Sequence, residues 1–267
     1  MASSKREKEL ARMRAERQAA RRAAAAARRR QRNLIITSVV AVALVALGAI
    51  LLATKIGGGS TTSAGKQKSP SATPTVSQLP GTCTYTPTKT PAAKKVDPLP
   101  PTTGVELKQA FTVHLTTNLG LIDINLNSAA APCTANNFRA LAHAKYFNGT
   151  PCHRLTTQGI YVLQCGDPTG KGTGGPGYTF ADENLKGATY PKGTVAMANS
   201  GAGTNGSQFF LVYKDTQLDP NYTPFGTITK GLDIINRVAA AGSVPTGDGK
   251  PKLAIQILST STEPTKS

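Results

Sequence analysis

Apolar and polar positions along this chain fall into three regimes. From Leu34 to Ala53, twenty residues pass without a charge; at 1.5 Å per residue such a helix spans about 30 Å, the thickness of a bilayer's hydrocarbon core. From Gly57 to about Thr103 the apolar periodicity disappears among Gly, Ser, Thr and Pro. That composition predicts a tether, flexible at first and stiffened near Pro98-Leu-Pro-Pro101. From Val105 onward short alternating runs set in. Phe111–Thr117 and Leu121–Leu126, joined by Asn118-Leu119-Gly120, predict a hairpin. Cys152–Leu155, Tyr161–Gln164, Thr194–Ala198, Phe209–Tyr213, Pro224–Thr229 and Leu253–Leu258 predict six more strands. Helical spacing occurs twice: in Thr134–Phe147, with Pro132 near its start and Phe138 and Leu141 on one stripe, and in Gly231–Ala241, ended by Gly242. Many short strands with one early and one late helix predict a mainly β fold, a closed antiparallel eight-stranded β-barrel capped by two α-helices and preceded by a single transmembrane helix. The expected divisions are a basic tail (1–33), an anchor (34–53), a linker (54–104), a folded domain (105–260) and a C-terminal tail (261–267).

Charge sharpens this layout. The net charge is +17, of which residues 1–32 carry +9 through twelve Lys/Arg and three Glu. The basic character belongs mainly to the tail and suits contact with anionic lipid head groups better than a nucleic-acid arm. Few basic residues follow Ala53, so the positive-inside bias places the N-terminus in the cytoplasm and the folded domain outside, in a single-pass membrane protein. A cleaved signal peptide is the rival reading, though its apolar core is normally shorter. Trp is absent and aromatics are few, which argues against a stacking platform for single strands and a specific nucleic-acid partner.

Export decides how the cysteines read. Cys83, Cys133, Cys152 and Cys165 contain no CxxC spacing, which disfavours zinc and dithiol redox chemistry; no metal or cofactor is expected. Outside the cytoplasm four cysteines make two disulfides, with three possible pairings. Cys152 and Cys165 flank two short apolar stretches that a hairpin would bring face to face, which favours Cys152–Cys165 with Cys83–Cys133.

Candidate chemistry gathers around Met197–Tyr213. A polar glycine-rich loop from Asn199 to Ser207 feeds an apolar strand, and Gln208 stands beside Phe209 and Phe210, the mixture from which binding pockets are built. The run Gly166–Gly177 is also glycine-rich, but no GKS or GKT follows and no helix starts there, so it reads as a surface loop, not a phosphate cradle. His114 is placed on a strand face, and His143 reads as a surface or packing residue.

Ala198-Asn199, Thr204–Phe210, Cys152-His-Arg154 and Gln164-Cys-Gly-Asp167 together resemble the cyclophilin family of peptidyl-prolyl isomerases. Asn137–Leu141, Gly172–Gly175 and Phe225-Gly226 extend the resemblance over roughly Phe111 to Leu258, and the anchor and cysteines give it the look of an exported actinobacterial member. The resemblance implies a monomeric isomerase acting on proline-containing polypeptide segments of exported or cell-envelope proteins. Arg154 then matches the catalytic arginine, Gln164 and Asn199 the groups that hold substrate backbone, and Tyr161, Val162, Phe210 and Leu218 the walls of a proline socket. Ala198 borders the groove, Tyr222 takes a rim position, and Gln208 partners Arg154; Phe209 is assigned to the core, His153 to a structural role and Asp167 to loop scaffolding. Three departures stand out. Leu155–Ile160 is about two residues longer than usual, Cys165 replaces a glycine, and Gln217 replaces a tryptophan. The last implies weak cyclosporin binding. A proline-segment binding or chaperone module with little turnover is the alternative, since it would use the same pocket.

Overall fold

The computed structural model describes residues 81–105 and 108–265. The expected basic tail, the anchor at 34–53 and the first part of the linker lie outside the described residues. Among the described residues, no helix is long and apolar enough to cross a membrane.

In chain order the strands are β1 (Thr86–Pro87), β2 (Phe111–Thr117), β3 (Gly120–Leu126), β4 (Thr150–Pro151), β5 (Arg154–Thr156), β6 (Val162–Cys165), β7 (Tyr178–Thr179), β8 (Thr194–Met197), β9 (Phe209–Val212), β10 (Pro224–Lys230), β11 (Ser243–Val244), β12 (Asp248–Pro251) and β13 (Gln256–Pro264). Helix α1 is Pro132–His143 and helix α2 is Leu232–Ala241. Eleven strands form one antiparallel sheet in the order β11-β12-β5-β6-β9-β8-β10-β3-β2-β13-β4, and β1 pairs only with β7. The fold is mainly β with two helices, as the alternation predicts. The sheet, however, is an open order of eleven strands and not a closed ring of eight. Its curl comes from β4 and β5: Cys152 N–H donates to the Ile255 carbonyl (3.0 Å) and His153 N–H to that of Gln164 (3.0 Å), so two residues carry the chain from the β13 side to β6. Register shifts in β10 (between Ile228 and Lys230) and β13 (between Ile257 and Ser259) bend the strands further.

The core lies between the curled sheet and the two helices, with Phe138 and Leu141 from α1 and Ile234, Ile235 and Val238 from α2. Phe138 is fully buried, with its ring centroid 5.1 Å from that of Phe147, 4.9 Å from Phe209 and 5.0 Å from Phe225. Helix α1 stops at His143, short of the expected Phe147. Lys145 adopts φ 55°, while the N–H groups of Lys145 and Tyr146 bond back to the carbonyls of Ala142 and Leu141. This left-handed cap turns Tyr146 and Phe147, both fully buried, into the core. The N-terminus of α1 has no capping side chain of its own. Glu183 supplies one, accepting from the N–H groups of Cys133 (3.0 Å) and Thr134 (2.8 Å).

Two expected boundaries move. β13 runs to Pro264 and pairs Ser261–Pro264 with β2, so most of the expected tail from 261 is strand. The linker expected to reach 104 is packed from Gly81 on. Cys83 is bonded to Cys133, Tyr85 sets its ring edge against Tyr178 (5.4 Å) and Phe180 (5.6 Å), and Val96 joins the core. Isolated apolar residues among prolines and threonines carry no period, so this strap was invisible as structure. The second disulfide joins Cys152 to Cys165, completing the favoured pairing.

Candidate active site

Strand alternation builds the site. In the β6–β9–β8 register Gln164 stands opposite Phe210, Val162 opposite Val212, and Ala196 opposite Phe210. Successive side chains point to opposite faces. Leu163, Cys165, Val195, Met197, Phe209 and Leu211 therefore enter the main core. Val162, Ala196, Phe210 and Val212 form a separate apolar cluster with Tyr190 on the other face. Phe209 is thus core, as assigned, and Phe210, 4 % exposed, floors the second cluster. Ile160, Ala198, Leu218 and Tyr222 pack around it. Tyr222 turns its ring edge to Phe210 at 5.6 Å, and Tyr190 holds it there, donating its hydroxyl to the Tyr222 carbonyl (2.8 Å) and accepting the Tyr222 N–H (3.1 Å).

A polar row runs along the edge of this patch. Arg154 on β5 stands opposite Gln164 on β6 and donates Nη1–H to Gln164 Oε1 (3.2 Å). Gln164 Nε2 donates to Gln208 Oε1 (2.9 Å), and Gln208 Nε2 donates to the carbonyls of Gly172 (3.0 Å) and Gly174 (2.9 Å). At the other end Asp248, on β12, grips the guanidinium through Nε (2.7 Å) and Nη2 (2.7 Å). The Asp248 bond, opposed by partial burial and aided by its charge, raises the Arg154 pKa, so the guanidinium is a fixed cation. Asp248 and Tyr190 were not anticipated. Asp248 lies about ninety residues downstream, on a short hairpin strand with no apolar alternation.

The structure corrects one predicted wall. Tyr161 joins the main core's margin, with its ring 6.1 Å from that of Tyr213 and the Lys214 ammonium 4.4 Å over its face. Two bonds fix the course of the Leu155–Ile160 segment and of Tyr161 after it. Thr157 N–H bonds to the Gly247 carbonyl (2.8 Å) and Tyr161 N–H to Thr216 Oγ1 (3.0 Å). Ile160 packs against the patch in Tyr161's stead, while Val162 keeps its predicted place. Asn199 is at the groove, but its carboxamide is occupied: Nδ2 donates to the Asn221 carbonyl (2.9 Å) and to Asp182 Oδ1 (3.3 Å), and Oδ1 accepts from Gly201 N–H (3.3 Å).

The Gly166–Gly177 loop is wound around a buried carboxylate. Asp167 accepts from the N–H groups of Thr169 (2.7 Å), Gly172 (2.7 Å) and Gly174 (3.0 Å) and from Thr169 Oγ1 (2.8 Å). Burial works to raise its pKa, but these bonds outweigh it and hold the carboxyl below its ordinary value. A Cβ on Gly174 would strike that carboxylate. His153 lies under Gly172, and burial pushes its pKa down, which keeps the imidazole neutral at pH 7. Between this loop, Asn199–Gln208 and the strap lies a cleft of about 520 Å³ that reaches Gln164 and Gln208.

A curled antiparallel sheet with two helices, bearing an arginine–glutamine row beside an apolar patch, defines a cyclophilin-like protein. The chain belongs to the cyclophilin type peptidyl-prolyl cis-trans isomerase family, whose model matches residues 112–262. It is similar to a probable peptidyl-prolyl cis-trans isomerase B of Mycobacterium leprae, 49 % identical over 185 residues, which cover 63 % of this chain and 62 % of that protein. The Mycobacterium tuberculosis counterpart is 46 % identical over 193 residues, covering 66 % and 62 %. The chain thus spans less than two thirds of the length of these relatives. A cyclophilin type peptidyl-prolyl cis-trans isomerase of Cryptosporidium parvum, solved by crystallography, superposes with a TM-score of 0.53 at 32 % identity, covering 59 % of this chain and 99 % of that one. The same parasite protein crystallised in the presence of the dipeptide Ala-Pro gives a TM-score of 0.51 at 32 % identity, over 57 % and 98 %.

Proposed function

We propose that this protein accelerates cis–trans isomerisation of X-Pro bonds in exported or cell-envelope proteins. The observation that carries the reading is the fixed Arg154 guanidinium set beside an apolar patch floored by Phe210, within a cyclophilin-family domain.

Rotation about an X-Pro bond must break amide resonance over a barrier of about 18–20 kcal/mol, which takes tens to hundreds of seconds unaided. No electron pair or proton needs to leave the substrate. A catalyst has only to bind the twisted amide better than either planar form. In this reading the prolyl ring lies on Phe210 between Val162, Leu218 and Tyr222, which fixes one side of the bond. Twisting removes conjugation and leaves the prolyl nitrogen pyramidal with an available lone pair. The Arg154 Nη1–H edge, turned toward Gln164 because Asp248 holds the opposite edge, supplies a donor for that charge. Gln164 and Gln208 border the substrate backbone, and Gln164 accepts the Arg154 Nη1–H within the polar row. The Asn199 carboxamide is already engaged, so its substrate contact runs through its main-chain groups.

The N-terminal third sets the location. The charge-free stretch 34–53 anchors the chain as a single pass, the basic tail faces the cytoplasm, and the domain stands outside as a monomer. Protease accessibility in right-side-out vesicles tests this: the domain is digested and the tail protected. The activity is tested on the full-length chain in detergent. Arg154→Ala should cut kcat/KM for a proline tetrapeptide by about 10²–10³, the usual value of one transition-state donor, and an active Arg154→Ala refutes the mechanism. The packing of Ile160, and not Tyr161, against the patch favours a second reading, a proline-segment binding module. Saturable peptide binding with no rate enhancement would select it.

A further inference from the structure

Helix α1 carries a second face that the isomerisation chemistry leaves unused. Phe138 and Leu141 enter the core. Asn136, Arg139, Ala140 and His143, spaced three and four apart, form a stripe along a groove of about 400 Å³. The strap makes one wall of it through Pro98, Leu99 and Pro101, and Phe111 with the end of β13 makes the other. This groove shares no lining residue with the Phe210 patch or with the cleft beside Gln208. Its strap wall is tied to the helix. Asn136 Nδ2 donates to the Pro101 carbonyl (2.9 Å) and to the Tyr85 hydroxyl (2.8 Å), which donates in turn to the Cys133 carbonyl (3.0 Å).

Two features define what the groove takes. Leu99 is 65 % exposed, more than any other large apolar side chain among the described residues. A single exposed leucine is ordinary on a surface, but this one lines a groove that also presents Phe111 and Ala140. The second feature is charge. The Arg139 guanidinium lies 4.1 Å over the Phe111 ring and, among the described residues, makes no hydrogen bond or ion pair. Stacking uses the face of the guanidinium and leaves its in-plane donors open. The neighbouring carboxylates are already taken: Glu263 Oε1 meets His114 Nε2 (3.3 Å), and Asp97 Oδ2 accepts from Lys95 Nζ (2.7 Å). We propose that this groove docks a short acidic–apolar segment of a partner polypeptide, with an aliphatic side chain against Leu99 and Phe111 and a carboxylate on Arg139. The inference does not depend on the isomerase reading. A groove of this volume lies at the low end of small-ligand pockets, so it takes a few residues and not a folded face. Charge also selects among occupants. The chain's own linker, residues 57–80, contains two lysines and no Asp or Glu, so it lacks the carboxylate that Arg139 calls for.

The test uses the full-length chain in detergent and a labelled, proline-free peptide, Ser-Leu-Glu-Leu-Ser, read by fluorescence anisotropy. Control peptides carry Gln or Lys in place of Glu, or Ser in place of both Leu. The Glu peptide should saturate below about 1 mM and bind about tenfold tighter than the Gln peptide, as a charge-assisted hydrogen bond provides. The Lys peptide should be weaker still. Arg139→Gln should erase that preference, and Arg139→Glu should turn it toward the Lys peptide. Leu99→Ser should weaken the Glu peptide about tenfold, as loss of a covered leucine does. A proline tetrapeptide should not compete, and Arg139→Gln should handle that tetrapeptide as the parent does. Equal affinity of the parent for all four peptides, or an Arg139→Gln chain that still prefers Glu, overturns the proposal. A dimer in analytical ultracentrifugation that Arg139→Gln dissociates also overturns it, because the groove then belongs to a second copy.

Discussion

Asp248→Asn separates the placing of the catalytic guanidinium from its presence. Asp248 holds Arg154 through two parallel bonds of 2.7 Å, yet the side chains are 56 % and 41 % exposed. Exposed pairs contribute about 0.2–1 kcal/mol, and the two-point geometry puts this one at the upper end. The stability loss is therefore about 1 kcal/mol or less, a fall of about 2–4 °C in Tm for a domain of this size. The expected effect on catalysis comes from entropy. Released from Asp248, a long side chain recovers part of the roughly 2 kcal/mol of rotamer freedom that fixing it costs. Losing about half of that from the transition state lowers kcat about fivefold with KM unchanged, the pattern of an interaction made only in the transition state. The bond from Arg154, reinforced by its charge, lowers the Asp248 pKa below its ordinary 3.8. The clamp is therefore complete above that value and lost as pH falls through the lower folded-state value. Line-shape or exchange NMR on a proline peptide gives the rates without a coupling protease. The parent should exceed Asp248→Asn at pH 5–8, and the two should converge only below 3.8, as pH falls through the lowered Asp248 value. Equal kcat at pH 7, or a difference that persists through the acid range, refutes the positioning role.

The other predictions separate core from patch and scaffold from chemistry. Phe209→Ala, at a fully buried site, should cost about 3–5 kcal/mol in denaturant unfolding, with near-parental activity per folded molecule. Phe210→Ala should show the reverse weighting, losing binding and turnover. Serine replacement of both Cys152 and Cys165, 13 residues apart, should cost about 3 kcal/mol; replacing Cys83 and Cys133, 50 apart, should cost about 4 kcal/mol, on the chain-constraint model. Both are read by equilibrium unfolding, and equal stability of all forms contradicts that account. Asp167→Ala orphans the N–H groups of Thr169, Gly172 and Gly174 and should speed hydrogen exchange across that loop. Since the Asp167 pKa is depressed, its contribution holds above 3.8 and disappears as pH falls through the folded value. Cyclosporin should bind weakly, with Kd above about 1 μM by calorimetry, since Gln217 brings no indole surface; nanomolar binding contradicts this.

Where side-chain pattern carried the signal, the sequence was legible. Alternation placed β2, β3, β6, β8, β9 and β10, and the cysteine pairing followed from the hairpin that brings Cys152 to Cys165. Other features escaped, among them three with a plain physical reason. The strap from Gly81 has no period because backbone bonds and one disulfide fix it, with scattered apolar anchors such as Tyr85 and Val96. Tyr161 packs at the main core's margin and Ile160 at the patch, a choice set by long-range bonds such as that of Tyr161 N–H to Thr216, which nothing local records. Asp248 was hidden because a carboxylate on a short exposed strand looks like any surface residue until β12 pairs with β5 and brings it to Arg154.

The site itself depends on a one-residue distinction that pattern alone leaves open. Phe209 and Phe210 are adjacent, equally apolar and both buried, yet one packs on Phe138 and Phe147 and the other on Tyr222 and Tyr190. Hydrophobicity fixes neither direction. Their neighbours do. Gly166, at φ 90°, lets the chain after Cys165 pass so close to Ser207 and Gln208 that a Cβ there would strike the Ser207 carbonyl. Ser207 Oγ then donates to the Gly166 carbonyl (2.7 Å), and Gln208 turns outward to take Gln164 Nε2 on Oε1 (2.9 Å). With Gln208 outward, alternation sends Phe209 inward and Phe210 out. The polar row therefore orients the apolar patch as well as standing beside it, so a Gly166→Ala chain that still folds should lose activity by slipping this register. Retained activity in such a chain would show that the aromatic pair alone sets it.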